Sequence, residues 1–344
     1  MDLTIAAILG LDGLTNGAIY ALVALALVLV FSVTRVIFIP QGEFVAYGAL
    51  TLASLQSGRL PGTVWLLVLL ALSTLALDAA QAWRERWGAA RLLRRAGAAV
   101  VALAVAAVTV ALAAAQPPLP VQMLLALAVV TAMGPLLHRL AYRALSGASV
   151  LTLLIVSVGV HFALTGLGLV FFGAEGYRTP AFWDARFDVG PLSFTGQTLI
   201  IFGASVALIA ALFVFFERTL TGKALRATSV NRTGARLMGI SGDAAGALSF
   251  TLAAFIGALS GLLISPSTTI YYDTGFLIGL KGFVAAVFGG LASFPMALAG
   301  AVGVGLIESF GAFYASAFKE VIVFTVILPV LLWRSFVDPH HEEH

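Results

Sequence analysis

Glu43, Lys281 and Glu308 stand inside otherwise apolar stretches of this 344-residue chain. An ionisable group in a bilayer is costly, and it faces either a partner or a wet cavity. All three are therefore candidates for handling a charged or polar solute. Glu43 follows a Gln41-Gly42 turn, which has two readings: a helix break lining a pathway, or a helix cap at the membrane surface. Lys281 lies early in its apolar window, from which it can snorkel to the interface, and Glu308 lies about halfway along the next. As a pair they neutralise each other; as separate groups they contact solute. Thr15, Asn16 and Tyr20 put a polar stripe on the first apolar run. Thr and Tyr there bond to neighbouring backbone, or in a functional reading line the same path. His161 is a lone imidazole in an apolar window and reads as a hydrogen-bonded packing residue. His340, His341 and His344 read as a solvated tail, with adventitious metal binding the alternative.

Bond-making chemistry finds no site. The lysines are Lys223, Lys281 and Lys319, and none ends a G-x-x-x-x-G-K-[ST] phosphate loop. H-E-x-x-H and G-x-S-x-G are missing, and with no cysteine there is no thiol or disulfide chemistry. No nucleic-acid motif competes, and no cofactor is expected on this chain. If the polar residues serve transport, the energy comes from another subunit or from an ion gradient.

The elements that position these residues must be membrane helices. The chain is 60% hydrophobic and 10% charged, with mean hydropathy +1.04; soluble domains carry about 25% charged residues. About 20 apolar residues span a bilayer. Such windows fall near 9–33, 38–57, 63–80, 97–115, 121–137, 150–172, 197–216, 246–266, 276–292, 297–314 and 320–334. The expectation is an all-α polytopic bundle of about 9–11 transmembrane helices over 1–337, with a polar tail at 338–344. The Gly-rich region 276–314 suggests a re-entrant or broken helix. Met1-Asp2 lacks a basic n-region, so the start reads as a retained helix. With the N-terminus outside and the C-terminus inside, fourteen Lys and Arg fall in inside loops and four in outside loops. That asymmetry sets orientation. The outside segment 173–196 mixes charge, Pro and aromatics and reads as a loop with a short element of its own. Gly13/Gly17, Gly257/Gly261 and Gly275/Gly279 are G-x-x-x-G pairs suited to close helix crossings.

The longest inside loop, 217–245, contains "GKALRATSVNRTGARLMGI". It is basic and rich in helix formers. Ala227, Asn231, Ala235 and Gly239 recur every fourth residue, so one helix would align them on a single small-residue face. The plain reading is a connecting helix held near anionic headgroups. This segment resembles the cytoplasmic loop of LivH-type permeases, the membrane subunits of bacterial branched-chain amino acid ABC importers. "FTLAAFIGALSGLLISP", "GFLIGLKGFVAAVFGGLASFPMALAGAVGVGLIESF" and the opening "GLTNGAIYALVALALVLVFSVTRVIFIPQGEF" resemble further family blocks in the same order. Residues 60–118 look like an inserted helix pair, "FIP" stands where the family has a more polar turn, and Met296 stands where Gly is usual.

The resemblance implies a permease subunit of the bacterial cytoplasmic membrane that is not an enzyme. It would import branched-chain or other hydrophobic amino acids, or related small polar solutes. It implies a second permease subunit, homologous or identical, surrounding lipid, and a periplasmic binding protein. Two ATP-binding subunits would use ATP and Mg. It further implies that Arg226, Ala227, Asn231, Arg232, Ala235, Arg236 and Gly239 form the coupling surface for the ATP-binding subunit. Thr15, Asn16, Tyr20, Gln41, Glu43, Lys281 and Glu308 are, by their polarity alone, the candidates for lining the path. An ion-coupled secondary transporter is the competing expectation. It needs a protonatable group at the midplane.

Overall fold

The computed structural model describes residues 3–86, 88–190 and 192–337. Met1-Asp2 and the tail at 338–344, with its three histidines, lie outside the described residues. In chain order the helices are α1 (Leu3–Thr34), α2 (Gln41–Gln56), α3 (Gly62–Glu85), α4 (Ala89–Ala113), α5 (Leu119–Leu137), α6 (Val150–Phe172), α7 (Gly196–Arg218), α8 (Leu220–Val230), α9 (Arg232–Leu237), α10 (Gly242–Ile264), α11 (Thr274–Phe288), α12 (Phe294–Tyr314), α13 (Lys319–Thr325) and α14 (Ile327–Val337). A two-stranded antiparallel hairpin, β1 (Arg186–Val189) and β2 (Leu192–Thr195), supplies the short element expected in the loop before α7.

Every apolar window is helical, but only eight helices among the described residues are long and apolar enough to cross a membrane: α1, α3, α4, α5, α6, α7, α10 and α12. The 16 residues of α2 and the 15 of α11 make rods of about 24 and 22 Å, short of a hydrocarbon core of roughly 30 Å. The last window divides into α13 and α14. Pro329 is the reason: its ring clashes with the carbonyl of Thr325, the last residue of α13.

The shortness of α2 has a local cause. Arg35, with φ +60°, sits in the left-handed region and closes α1 by donating its amide to the Phe31 carbonyl at 2.7 Å. The chain then turns back into the bundle. Phe38 is fully buried and meets Phe250 edge-on at 4.8 Å. Gln41 starts α2 beside Ala253, at mid-length of α10, and its Nε2 donates to that carbonyl at 3.0 Å. From there α2 lies along α10: Gly257 faces Phe44 and Gln41, and Gly261 faces Val45 and Ala49. The first turn of α11 crosses the first turn of α2. A Cβ on Gly42 would lie 1.9 Å from the Gly275 carbonyl oxygen, and Gly279 approaches Gly42 as well.

Gly13 and Gly17 serve the other close crossing, against Leu306 and Val302 of antiparallel α12, where Ser309 also donates to the Leu9 carbonyl at 2.8 Å. All three G-x-x-x-G pairs therefore act in packing. One end of the bundle is basic. Arg143, Arg232 and Arg236 gather beside the end of α1. At the opposite end, Tyr177 bridges Ile270 and Arg178 donates to the Pro266 carbonyl at 2.9 Å.

Candidate functional site

Glu43, Lys281 and Glu308 fall in two buried polar clusters inside the bundle. In the first, Glu43 occupies the opening turn of α2, but that turn is at mid-depth and not at a membrane surface. Its carboxylate is 1% exposed, with Oε1 2.7 Å from Nδ1 of His161. His161 sits at mid-length of α6 and stacks on Phe276 of α11 at 4.5 Å. The second carboxylate oxygen of Glu43 and the Oε1 of Gln41 are both buried without a hydrogen-bond partner. The opening turns of two short helices thus converge on a histidine–carboxylate pair. Helix N-termini carry partial positive charge, which favours an anionic group brought beside them. The sequence suggested neither partner to the other, because 118 residues separate them.

The second cluster joins α1, α11, α12 and α13. Lys281 Nζ lies 2.6 Å from Glu308 Oε1 and 3.1 Å from Glu320 Oε1. Tyr20 donates its hydroxyl to Glu308 Oε2, and the ammonium lies 5.7 Å from the Tyr20 ring. Lys281 does not snorkel outward: it is 5% exposed. Its pairing with Glu308 was legible from adjacent windows; Glu320 and Tyr20 as further partners were not. Thr15 bonds to the Leu11 carbonyl of its own helix at 2.8 Å, and Asn16 is half-buried. Neither joins a cluster.

At the basic end, the expected single helix over 225–240 is two helices meeting at Asn231. That residue adopts extended backbone (φ −148°, ψ 99°), and its Oδ1 accepts from the Gly234 amide at 2.8 Å. An Asn cap in place of a helical residue starts α9 in a new direction. The expected small face therefore does not exist. Ala227 and Asn231 are exposed, Ala235 is buried, and Gly239, with φ +83°, lies beyond the end of α9. Arg226 pairs with Glu217. Arg232 turns inward, donating through Nε and Nη2 to the Val33 carbonyl at 3.0 and 2.6 Å. Burial holds the Arg232 guanidinium below its ordinary pKa, and the like charges of Arg35 and Arg236 add to this. The outward surface is apolar: Val230, Leu237 and Met238 are all more than 80% exposed. Lys223 and Arg226 rim it.

Known proteins match this architecture in sequence. Residues 86–331 match the family described as branched-chain amino acid transport system / permease component. The chain is 31% identical over 226 residues to the high-affinity branched-chain amino acid transport system permease protein BraD of Pseudomonas aeruginosa, covering 62% of this chain and 74% of that protein. It is 29% identical over 214 residues to the corresponding protein LivH of Escherichia coli, covering 60% of this chain and 70% of the relative. The solved structure of PsaBC from Streptococcus pneumoniae in complex with Fab is similar at TM-score 0.38 and 13% identity, covering 95% of this chain and 91% of its own. With the family match running over well more than half of its length, the chain belongs to the branched-chain amino acid transport permease family.

Proposed function

We propose that this permease subunit moves branched-chain or similarly hydrophobic amino acids inward across a bacterial cytoplasmic membrane, powered by ATP-binding subunits docked at the basic end. That end is the cytoplasmic one, with the N-terminus outside. The observation that carries the reading is the unpartnered apolar surface of α8 and α9. Val230, Leu237 and Met238 are exposed on short helices outside the long spans, beside basic residues. Exposed contiguous apolar surface rimmed by polar groups marks a partner site. The names of the relatives supply the substrate class. A second permease subunit completes the passage, a binding protein delivers solute from outside, and ATP with Mg is consumed by the partners.

Within the membrane, the path runs past the crossing of α2 and α11, lined by Gln41, Glu43 and His161. The carboxylate of Glu43 suits an ammonium group, and the two helix N-termini suit a carboxylate. Lys281 holds Glu308 and Glu320, Tyr20 hydrogen-bonds Glu308, and the role of this cluster is to fix α11 between α1 and α12.

A second reading has one observation behind it. A buried carboxylate–imidazole pair at mid-depth is also what a proton-coupled carrier needs. Reconstitution with candidate ATP-binding subunits and binding protein separates the two. Uptake of labelled leucine that requires ATP and survives collapse of the proton gradient supports the importer. Uptake by the permease alone, driven by a proton gradient, would replace it with the carrier.

A further inference from the structure

A cavity of about 250 Å³ lies between α8–α9 and the basic ends of α1, α5, α6 and α10. It is on the bundle side of α9, whereas Leu237 and Met238 face away. Three guanidiniums line it, those of Arg143, Arg232 and Arg236, against a single carboxylate, Asp243. Arg143 is committed to Asp243, with Nε 3.1 Å from Oδ2. Arg232 is committed to a carbonyl, which carries no net charge. The Arg236 side chain makes no hydrogen bond or ion pair among the described residues. Two positive charges are thus left without a counter-charge in a partly enclosed space, and Arg35 adds a third nearby. Gly242 and Asp243 also present the first turn of the 23-residue α10 to the cavity. Their amides lie ahead of any intrahelical acceptor. The side chain of Ser241 satisfies only Ala244.

We propose that this cavity is a binding site for one phosphate-class oxyanion, held by Arg236 and Arg232 and by the opening turn of α10. Guanidinium groups bind phosphate through paired N–H donors, and helix N-termini favour the same charge. The cavity accommodates one such group. Because α9 supplies two of the arginines and α10 supplies the amides, the anion ties the extramembrane helices to the bundle. Occupancy therefore stiffens the joint between them. The site stands on this chain's own geometry and does not depend on which solute is carried. Two sources share the chemistry: free inorganic phosphate and the headgroup of an anionic phospholipid.

The test uses the purified full-length permease in a phosphate-free detergent. Inorganic phosphate is titrated against its thermal unfolding midpoint, with chloride holding ionic strength constant. A saturable rise with phosphate, absent with chloride alone, is expected. Arg236→Gln should weaken the apparent phosphate affinity about tenfold or more, the loss of one charge-assisted contact. Its midpoint without phosphate should be no lower than that of the wild type, because the exposed Arg236 side chain makes no hydrogen bond or ion pair among the described residues and faces the like charge of Arg232. Nanodiscs identify the source, and either result upholds the site. A phosphate response persisting beside phosphatidylglycerol assigns free phosphate. A response lost there, together with weaker phosphatidylglycerol retention in Arg236→Gln, assigns the lipid headgroup. No phosphate-specific rise, or an unchanged affinity in Arg236→Gln, overturns the proposal. So does loss of the response on adding the ATP-binding subunits, since a partner side chain would then own the cavity.

Discussion

At the scale of single residues, the buried charges obey one rule: each is matched by a group far away in sequence. Lys281 is the clearest case, because it holds two carboxylates from two different helices. Removing one partner of a buried pair typically costs about 3–5 kcal/mol, most of it the stranded charge. Lys281→Met should therefore lower the unfolding temperature sharply. Lys281→Met with Glu308→Leu should recover most of the loss. Recovery should stay incomplete, because Glu320 keeps a buried oxygen with no partner, and adding Glu320→Gln should close more of the gap. Thermal unfolding of the four proteins in detergent checks this, and equal damage in the single and double variants would show that the pair is energetically idle. Tyr20→Phe should cost less, about 1–2 kcal/mol, since Glu308 then loses one of two hydrogen-bonded partners.

At the scale of elements, the helix crossings depend on residues with no side chain at all. Gly42→Ala would place a Cβ 1.9 Å from a backbone oxygen of α11. Neither backbone can yield without moving a whole helix, so the cost should exceed the usual ~1–3 kcal/mol of overpacking. Gly10→Ala, with nothing within 4 Å of the new methyl, should be neutral. Folded yield after extraction, read by size-exclusion profile, distinguishes the two. The contrast also shows what the sequence could tell. Apolar windows located every helix but α8 and α9, and G-x-x-x-G spacing flagged the tight contacts, because length and small residues are local properties. That α2 and α11 are short and cross at their first turns was only partly legible, in the Gly-rich run and the Gln41-Gly42 turn. The return of the chain after Arg35 depends on a left-handed residue that is not glycine, and no pattern announces it. The break at Asn231 did have a signal, an Asn three residues before Gly234. The four-residue spacing of small residues masked it. His161 was invisible as a partner, since a lone imidazole in an apolar run looks the same whether or not a carboxylate waits on another helix.

At the scale of the whole molecule, sidedness and coupling stand or fall together. If the basic end is cytoplasmic, a cysteine at Ser229 should react with a membrane-impermeant thiol reagent only after the membrane is opened, and one at Asp184 should react in intact cells. The native chain has no cysteine to confuse the result. Labelling at 229 from outside would invert the molecule and remove the docking proposal with it. If the orientation holds, the exposed side chains of α9 become the place to ask about coupling. Ala235 is a poor probe, because it is buried within this chain; Ala235→Trp would disturb the joint between α9 and the bundle and unsettle the permease itself. Gly239→Trp is no cleaner, since its φ of +83° strains any side chain by about 1–2 kcal/mol. Leu237 and Met238, 84% and 83% exposed, touch little here and are free to touch a partner. Burying a Leu or Met side chain gives about 1.5–3 kcal/mol. Met238→Asp should therefore weaken capture of the ATP-binding subunits by roughly tenfold or more, while membrane insertion and thermal stability stay at wild-type levels. Transport and solute-stimulated ATP hydrolysis should fall together. A variant that keeps its ATP-binding subunits and transports normally would leave α8 and α9 as a connector only.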